Sequence, residues 1–315
     1  MTKILHFSDV HGDAEMLQIA GDFAKTQNLE VCVCSGDLLG PCLSPEEGKK
    51  VHGAYNFLVN VMQQNDMEGK FDKILSQLRF HPKCPEGVQR AIGDYTSVVA
   101  KFQENAKIGY EKLAELISKF PGKILIVPGN WDSRQFLGYL GQYNLHKCAE
   151  TFKDIKFAGY GDSPEGVVVV APREIVGFSG EEMFEFLAGE KPEIAVTHVP
   201  PFKFHDKLAE GRHSGNPYLL AHLRADEAPK LLLCGHVHDA RGSNVVKETD
   251  CVVVNPGNLG RYEEGKPFGT FAVIEYEKGV TSITPYMIRN GRVSGDPEPG
   301  RYSLESENKP LIVEA

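Results

Sequence analysis

Positive charge is in short supply: 34 Lys and Arg stand against 43 Asp and Glu in 315 residues, a formal net charge of −9. An acidic chain is poorly suited to wrapping a nucleic-acid polymer, whose usual footprint is a basic stripe. A small anionic substrate still fits if the charge is inverted locally at a site. Long apolar runs are missing as well, and no segment approaches transmembrane length. No two of Cys32, Cys34, Cys42, Cys84, Cys148, Cys234 and Cys251 form a CxxC pair, which argues against a thiolate zinc site. Their odd number, and their place in apolar runs such as VCVCS, LLLCG and DCVVV, read as buried reduced thiols in a cytoplasmic setting. The opening MTKILHFSDV enters a strand at once, without a basic region leading into a long apolar stretch. Tryptophan occurs once, as Trp131 in VPGNWDSR. What remains is a globular composition, 41% hydrophobic and 24% charged, of a length that suits an α/β domain carrying an insertion.

Short apolar runs recur as KILHF, EVCVC, KILIV, EIAV and KLLLC. Most lack polar alternation, as strands covered on both faces do. Asp13 is placed to cap a helix with Met16, Ala20, Phe23 and Ala24 on one face, and Ser179 to cap another. From about 44 to 120 the rhythm changes to a helical block. In its last part Val98, Phe102, Ile108, Leu113, Leu116 and Ile117 keep rough helical spacing. Two readings stand for this block: a decoration packed on the domain, or a cap that narrows access to a site. Asp250–Asn255, Thr270–Glu275 and Val280–Ile288 read as strands without helices between them, which predicts a second, more antiparallel sheet. The domain is expected over 1–290, and 291–315, rich in Gly, Pro, Ser and charge, as a polar tail, loose or draped over the surface.

The five apolar runs share a grammar. Each ends in a small residue followed by a residue type that binds metal: Asp9 and His11 in DVHG, Asp37 in SGD, Asn130 in PGN, His198 in TH, and His236 and His238 in GHVH. A lone Asp at a strand end is usually a turn or cap residue. Five such ends in matching context are not coincidence, because open α/β sheets gather the carboxyl ends of their strands at one edge. The pairs Asp9/His11 and His236/His238 are spaced by two, which in an extended segment points both side chains to one face. Nitrogen and oxygen donors without thiolate suit Mn, Fe, Co, Ni or Zn rather than calcium. Seven ligands exceed one ion's needs; with one carboxylate shared they divide into two four-ligand groups. Two divalent cations less two carboxylates and a hydroxide leave a slightly positive pocket, fit for a phosphate oxygen. Water on such ions is deprotonated near neutral pH and suits in-line attack.

DVHG, GD, GNWD, THVPP and GHVH, in this order, resemble the motif set of the calcineurin-like metallophosphoesterases, and VVVNPGNLGRY is similar to an NPGS-type stretch in small bacterial and archaeal phosphodiesterases of that family. The resemblance implies an α/β fold, a four-layer αββα sandwich of two mixed sheets flanked by helices, with the helical block as an insertion. It implies two metal ions. Asp9, His11, Asp37 and His238 would hold the first; Asp37 would bridge to the second, held also by Asn130, His198 and His236. It implies hydrolysis of a small phosphorylated substrate, most simply a phosphodiester, with a metabolite or phosphoprotein monoesterase as the alternative. A non-catalytic scaffold of the same fold is a further reading, but scaffolds of this kind lose ligands and all seven are here.

One position departs from the pattern. Trp131 stands where much of the family has a histidine that touches the transferred phosphate and helps protonate the leaving oxygen, oriented by the next carboxylate, here Asp132. An indole has no proton to give usefully, although its N–H can donate a hydrogen bond. The catalytic set is then Asn130, Trp131 and Asp132, with an enzyme that depends on good leaving groups. His205 and His213, in the loop after His198, are candidates for the missing proton donor. Arg134, Arg241 and Arg261 follow motif loops and are candidates for a bidentate phosphate clamp, and Asp239 for a carboxylate behind a ligand histidine. Each of these has an ordinary alternative as a solvated surface residue. No membrane and no nucleic-acid partner is expected.

Overall fold

Alternation along the central strands sets the layers. In β1 (Thr2–Phe7), Ile4 faces one side while Leu5 and Phe7 face the other; in β2 (Val31–Cys34), Val31 and Val33 oppose Cys32 and Cys34. Ile4, Val31, Val33 and Leu125 pack against Phe157, Ile194, Val196, Leu231 and Leu233 of a second sheet, forming the core between the two. Leu5, Phe7, Cys32 and Cys34 pack instead against helices. Across the molecule, Ala195, Leu232 and Cys234 of the second sheet cover Met183, Leu187, Leu219 and Leu223 of two further helices. Helix, sheet, sheet, helix is the resulting order: an αββα sandwich. This computed structural model describes all residues except 66, 68, 82, 162–169, 262–267, 297, 299–300, 303 and 305–315.

The first sheet runs β12 (Arg292–Gly295), β11 (Val280–Arg289), β10 (Phe268–Tyr276), β1, β2, β3 (Lys123–Ile126); β1, β2 and β3 pair in parallel, and the β1–β10, β10–β11 and β11–β12 pairings are antiparallel. The second runs β4 (Cys148–Phe152), β5 (Ile155–Tyr160), β6 (Ile194–Thr197), β7 (Leu231–Leu233), β9 (Cys251–Asn255), β8 (Gly242–Val246), with β5, β6, β7 and β9 parallel. The parallel strands thus end on a common edge in each sheet. There is a second sheet, but the three C-terminal strands do not make it among themselves. β9 joins β7, while β10 pairs with β1, because β1 offers an otherwise open edge to an apolar strand buried over most of its length.

Three helices make the insertion: α2 (Pro45–Gln64), α3 (Phe71–Phe80) and α4 (Glu86–Ile117). α2 starts on a reciprocal cap, with Ser44 and Glu47 each taking the other's backbone N–H. On α4 the buried positions include Val98, Phe102, Ala106, Tyr110, Leu113 and Ile117, a 3.6-residue stripe. Ile108, expected on that face, is 55% exposed. α1 (Ala14–Thr26) and α6 (Gly180–Glu190) start at the Asp13 and Ser179 caps, the short α5 (Phe136–Leu140) packs on α4, and α7 (Pro217–Leu223) lies beside α6.

Of the two states expected for the tail, its described residues up to Tyr302 show the draped one. β12 extends the sheet, Asp296 pairs with Arg241, and the Tyr302 hydroxyl donates to the Asn255 carbonyl. One buried carboxylate and one aromatic anchor outweigh the Gly- and Pro-rich composition. Residues 297, 299–300, 303 and 305–315 of the tail lie outside the described residues.

Candidate metal centre

Each ligand-bearing loop begins where a strand stops, and the chain turns sharply there. Asp9, His11, Asp37 and His236 all have φ between 47° and 69°, the left-handed region. Asp and His tolerate it better than most residues, yet it costs on the order of 1–3 kcal/mol each outside glycine. The small residues of the sequence grammar have a steric cause. A Cβ on Gly129 would lie 2.2 Å from Asp37 Oδ1, and one on Gly235 would lie 2.7 Å from Asp9 Oδ2. Glycine lets neighbouring backbone press against the ligand carboxylates. The two-residue spacings work otherwise than expected: these segments are not extended, and His236 and His238 serve different neighbours.

Three sets of contacts join the seven residues. Asp9, His11 and His238 form one group and Asp9, Asp37 and His198 another, with potential ligand atoms within 4.8 Å of one another in each. His11 Nε2 and His238 Nε2 are 3.2 Å apart, and His238 Nε2 is 3.3 Å from Asp9 Oδ1. Asn130 Oδ1 is 2.8 Å from His198 Nε2 and 2.9 Å from His236 Nδ1, which brings the last two residues in. Asp9, shared by both groups, also accepts the His236 backbone N–H at 3.0 Å.

The donor set fits cations. His198 Nδ1–H donates to the Ser35 carbonyl at 2.8 Å, so its Nε2 lone pair looks at the oxygens of Asn130 and, at 3.5 Å, Asp37. Lone pairs facing lone pairs in a buried site need positive charge between them. A proton is one answer: burial disfavours charge on His198, but the Asp37 and Asp9 carboxylates outweigh it and raise its pKa to about 10. Divalent ions are the other answer. Burial also opposes the charge on Asp9, yet the His238 bond and the fields of His238, His198 and His11 hold its carboxyl well below the usual range. Burial, then the charge on His198, brings His236 down to about 4, leaving a neutral imidazole of the kind that ligates metal.

Residues 2–240 match the calcineurin-like phosphoesterase family model. The chain belongs to this family. The family implies divalent metal ions, and Asp9, His11, Asp37, His198 and His238 are the carboxylates and imidazoles grouped to hold them. No curated protein matches the sequence. One solved crystal structure, 17% identical, aligns over 93% of this chain and 98% of its own with a TM-score of 0.59. An archaeal phosphodiesterase (12% identity, 90% and 98% covered, TM-score 0.38) and a dimetal phosphatase from Danio rerio (13%, 91% and 95%, 0.43) are more distant. The likeness to the first is one of fold, and the other two add nothing to it.

Trp131, where the resemblance led one to expect a histidine, is 9% exposed and meets the His11 ring edge-on, centroids 5.1 Å apart. Its backbone N–H donates to Asp37 Oδ1 at 2.7 Å. Asp132 does not orient residue 131 as the sequence suggested. Its fully buried carboxylate accepts from the backbone N–H groups of Gly129 (2.9 Å), Leu38 and Leu39 (3.2 Å each), and from the Tyr110 hydroxyl at 3.0 Å. It is a joint between two ligand loops and the insertion.

The proposed substrate contacts are mostly engaged elsewhere. Arg261 is held by Asp13 and Glu15, and Arg241 by Asp296 and Glu298. Arg134 is exposed, with Nε donating to the Ile175 carbonyl. His205 Nδ1–H donates to the Ala240 carbonyl at 2.7 Å, in the turn that carries His238, and His213 Nδ1 meets Asp206 at 2.7 Å. Three supporting residues were not singled out from sequence. Asn255 donates its amide to the Gly235 and Val237 carbonyls and so braces the loop between His236 and His238. Ser35 orients His198, and Tyr110 holds Asp132. For Asn255 the NPGN stretch was a usable signal; the other two look like ordinary core residues.

Proposed function

We propose that this family member is a dinuclear metal-dependent phosphoesterase that prefers phosphodiesters. The observation that carries the two-ion reading is Asn130 Oδ1 set between His198 Nε2 and His236 Nδ1, beside a separate Asp9–His11–His238 group that reaches it through Asp9 and Asp37. Asp9, His11, Asp37 and His238 would hold one ion, and Asp37, Asn130, His198 and His236 the other. Bound ions would supply a hydroxide at neutral pH and a positive field for phosphate oxygens. The chain itself orients this set: the Ser35 carbonyl fixes the His198 tautomer, and the Trp131 N–H fixes Asp37.

The diester preference is supported by charge. Two of the three arginines near the motif loops are already bound to carboxylates, Arg241 and Arg261. A monoester is dianionic near neutral pH and asks for more neutralisation than a monoanionic diester does. Trp131 adds to this by offering no proton to a poor leaving group. Small aryl or nucleotide diesters in the cytoplasm are the proposed substrates, with no nucleic-acid polymer and no membrane partner. Among the described residues, no helix is long and apolar enough to cross a membrane.

Elemental analysis should find two ions per chain, and Mn²⁺-supported turnover should favour a bis-aryl phosphate over the aryl monophosphate by at least about tenfold in kcat/KM, a difference of roughly 1.4 kcal/mol. A faster monoester would transfer the assignment to a phosphomonoesterase. A metal-free chain with no turnover after loading would refute both.

A further inference from the structure

Tyr110 lies on α4, inside the helical insertion, 22 residues before Asp132 and fully buried. Its hydroxyl does two things at once: it donates to Asp132 Oδ1 at 3.0 Å and accepts the Ser133 backbone N–H at 2.9 Å. Asp132 in turn grips Leu38 and Leu39, which follow Asp37, and Gly129, which precedes Asn130. One oxygen on the insertion thus ties together the backbone on either side of the gap between two ligands, Asp37 and Asn130. The insertion touches the same loops elsewhere. A Cβ on Gly109 would lie 2.8 Å from Leu39, and Asn105 donates to the Cys42 carbonyl at 2.7 Å.

We propose that Tyr110 is a positioning residue for the metal centre: through Asp132 its hydroxyl sets the separation of the Asp37 and Asn130 loops, making the insertion a support beneath the site. The proposal rests on the two-ion reading above. It predicts an uneven effect. The ion held by Asp37, Asn130, His198 and His236 takes ligands from both loops and so depends on that separation, whereas the other ion takes only Asp37 from them, its remaining ligands Asp9, His11 and His238 coming from strand ends that Tyr110 does not touch.

Tyr110→Phe removes one oxygen and keeps the ring that stacks on Tyr139 and meets Phe136 edge-on. Supporting hydrogen bonds behind ligands are typically worth about 10–100-fold in metal affinity. Calorimetric titration of the metal-free chain with Mn²⁺ should show one of two binding events weakened by at least about tenfold in Tyr110→Phe, the other within about threefold. Turnover should fall in kcat with KM little changed. Phe102→Leu, two turns away on α4 and fully buried, serves as the packing control: it should lower the melting temperature and leave both affinities alone.

Unchanged affinities in Tyr110→Phe, or equal losses at both events, would overturn the proposal. So would a matching loss in Phe102→Leu, since the helix as a whole would then be responsible. A wild-type chain that takes up no Mn²⁺ would instead bring down the two-ion reading, and the proposal with it.

Discussion

Under the proposed function, Trp131 is the residue that bears most directly on the leaving group. Its ring stands against His11 and its backbone N–H holds Asp37, so the position is part of the site whatever side chain occupies it. Only the side chain's capacity to give a proton differs from the usual histidine. General acid assistance is worth about 10²–10⁴-fold on leaving groups that need it and little on those that do not. Trp131→His should therefore raise turnover on an alkyl phosphodiester by about tenfold or more while changing an aryl diester by less than about threefold. The comparison is made with two substrates on one variant, so a general loss of folded protein cancels. An equal change on both would mean that the indole shapes the pocket and that the proton comes from elsewhere. His205 is poorly placed for that task, since burial brings its pKa down to about 4 and its Nδ1–H is used by Ala240.

At the scale of the element, the C-terminal strap is the least expected part. Asp296 and Arg241 pair at 3.0 and 3.3 Å with 0% and 11% of their side chains exposed, and Glu298 reaches the same guanidinium from the surface. Removing one partner of a buried pair leaves an uncompensated charge and costs about 3–5 kcal/mol, whereas an exposed partner contributes about 0–1 kcal/mol. Asp296→Ala should lower unfolding stability in urea by the first amount and Glu298→Ala by the second. Similar small losses from both would show that the strap is not docked in solution. The contrast with the strand ends explains what could be read from sequence. Five apolar runs ending in a small residue and a ligand announce themselves, because sterics at the sheet edge require glycine beside Asp37 and Asp9. The α4 stripe was legible for the same kind of reason, its periodicity, although Ile108 was misplaced by it. The strap and Tyr110 were not legible. Each depends on one polar atom meeting another, 55 residues apart for Arg241 and Asp296 and 22 for Tyr110 and Asp132. Local pattern carries no trace of such pairs, and strand order fails similarly: the edge offered by β1 is taken by β10, far along the chain.

For the whole molecule, the buried histidines set how the metal-free protein responds to acid. Burial brings His6 down to about 3, and His146 and His205 down to about 4, from the ordinary 6.5. His146 Nδ1 accepts the Gly161 N–H at 3.0 Å and would lose that bond on protonation. The unfolded chain binds protons at these three positions below pH 6.5, where the folded chain does not. Their contribution to stability is therefore complete above 6.5 and is lost as the pH falls toward 4. Asp132 acts in the opposite sense, since burial and the Asp37 charge raise it to about 6 and the folded state binds its proton more readily between 3.8 and 6. His198, raised to about 10, is protonated in both states at acid pH and adds no slope there; it destabilises the metal-free fold as the pH rises from 6.5 toward 10. His236, brought down to about 4 by burial and the His198 charge, and His11 and His222, which burial also lowers, act with these three, and together they outweigh Asp132 and leave a net loss in acid. Urea unfolding in excess chelator should show stability falling by at least about 1 kcal/mol per pH unit between pH 6 and 4.5. His146→Gln keeps an acceptor for Gly161 and cannot titrate, so it should flatten that slope without lowering stability at pH 7. A slope as steep as wild type in this variant would clear His146 and shift its share of the acid sensitivity to the other buried histidines, His6 and His205 among them, or to carboxylate pairs.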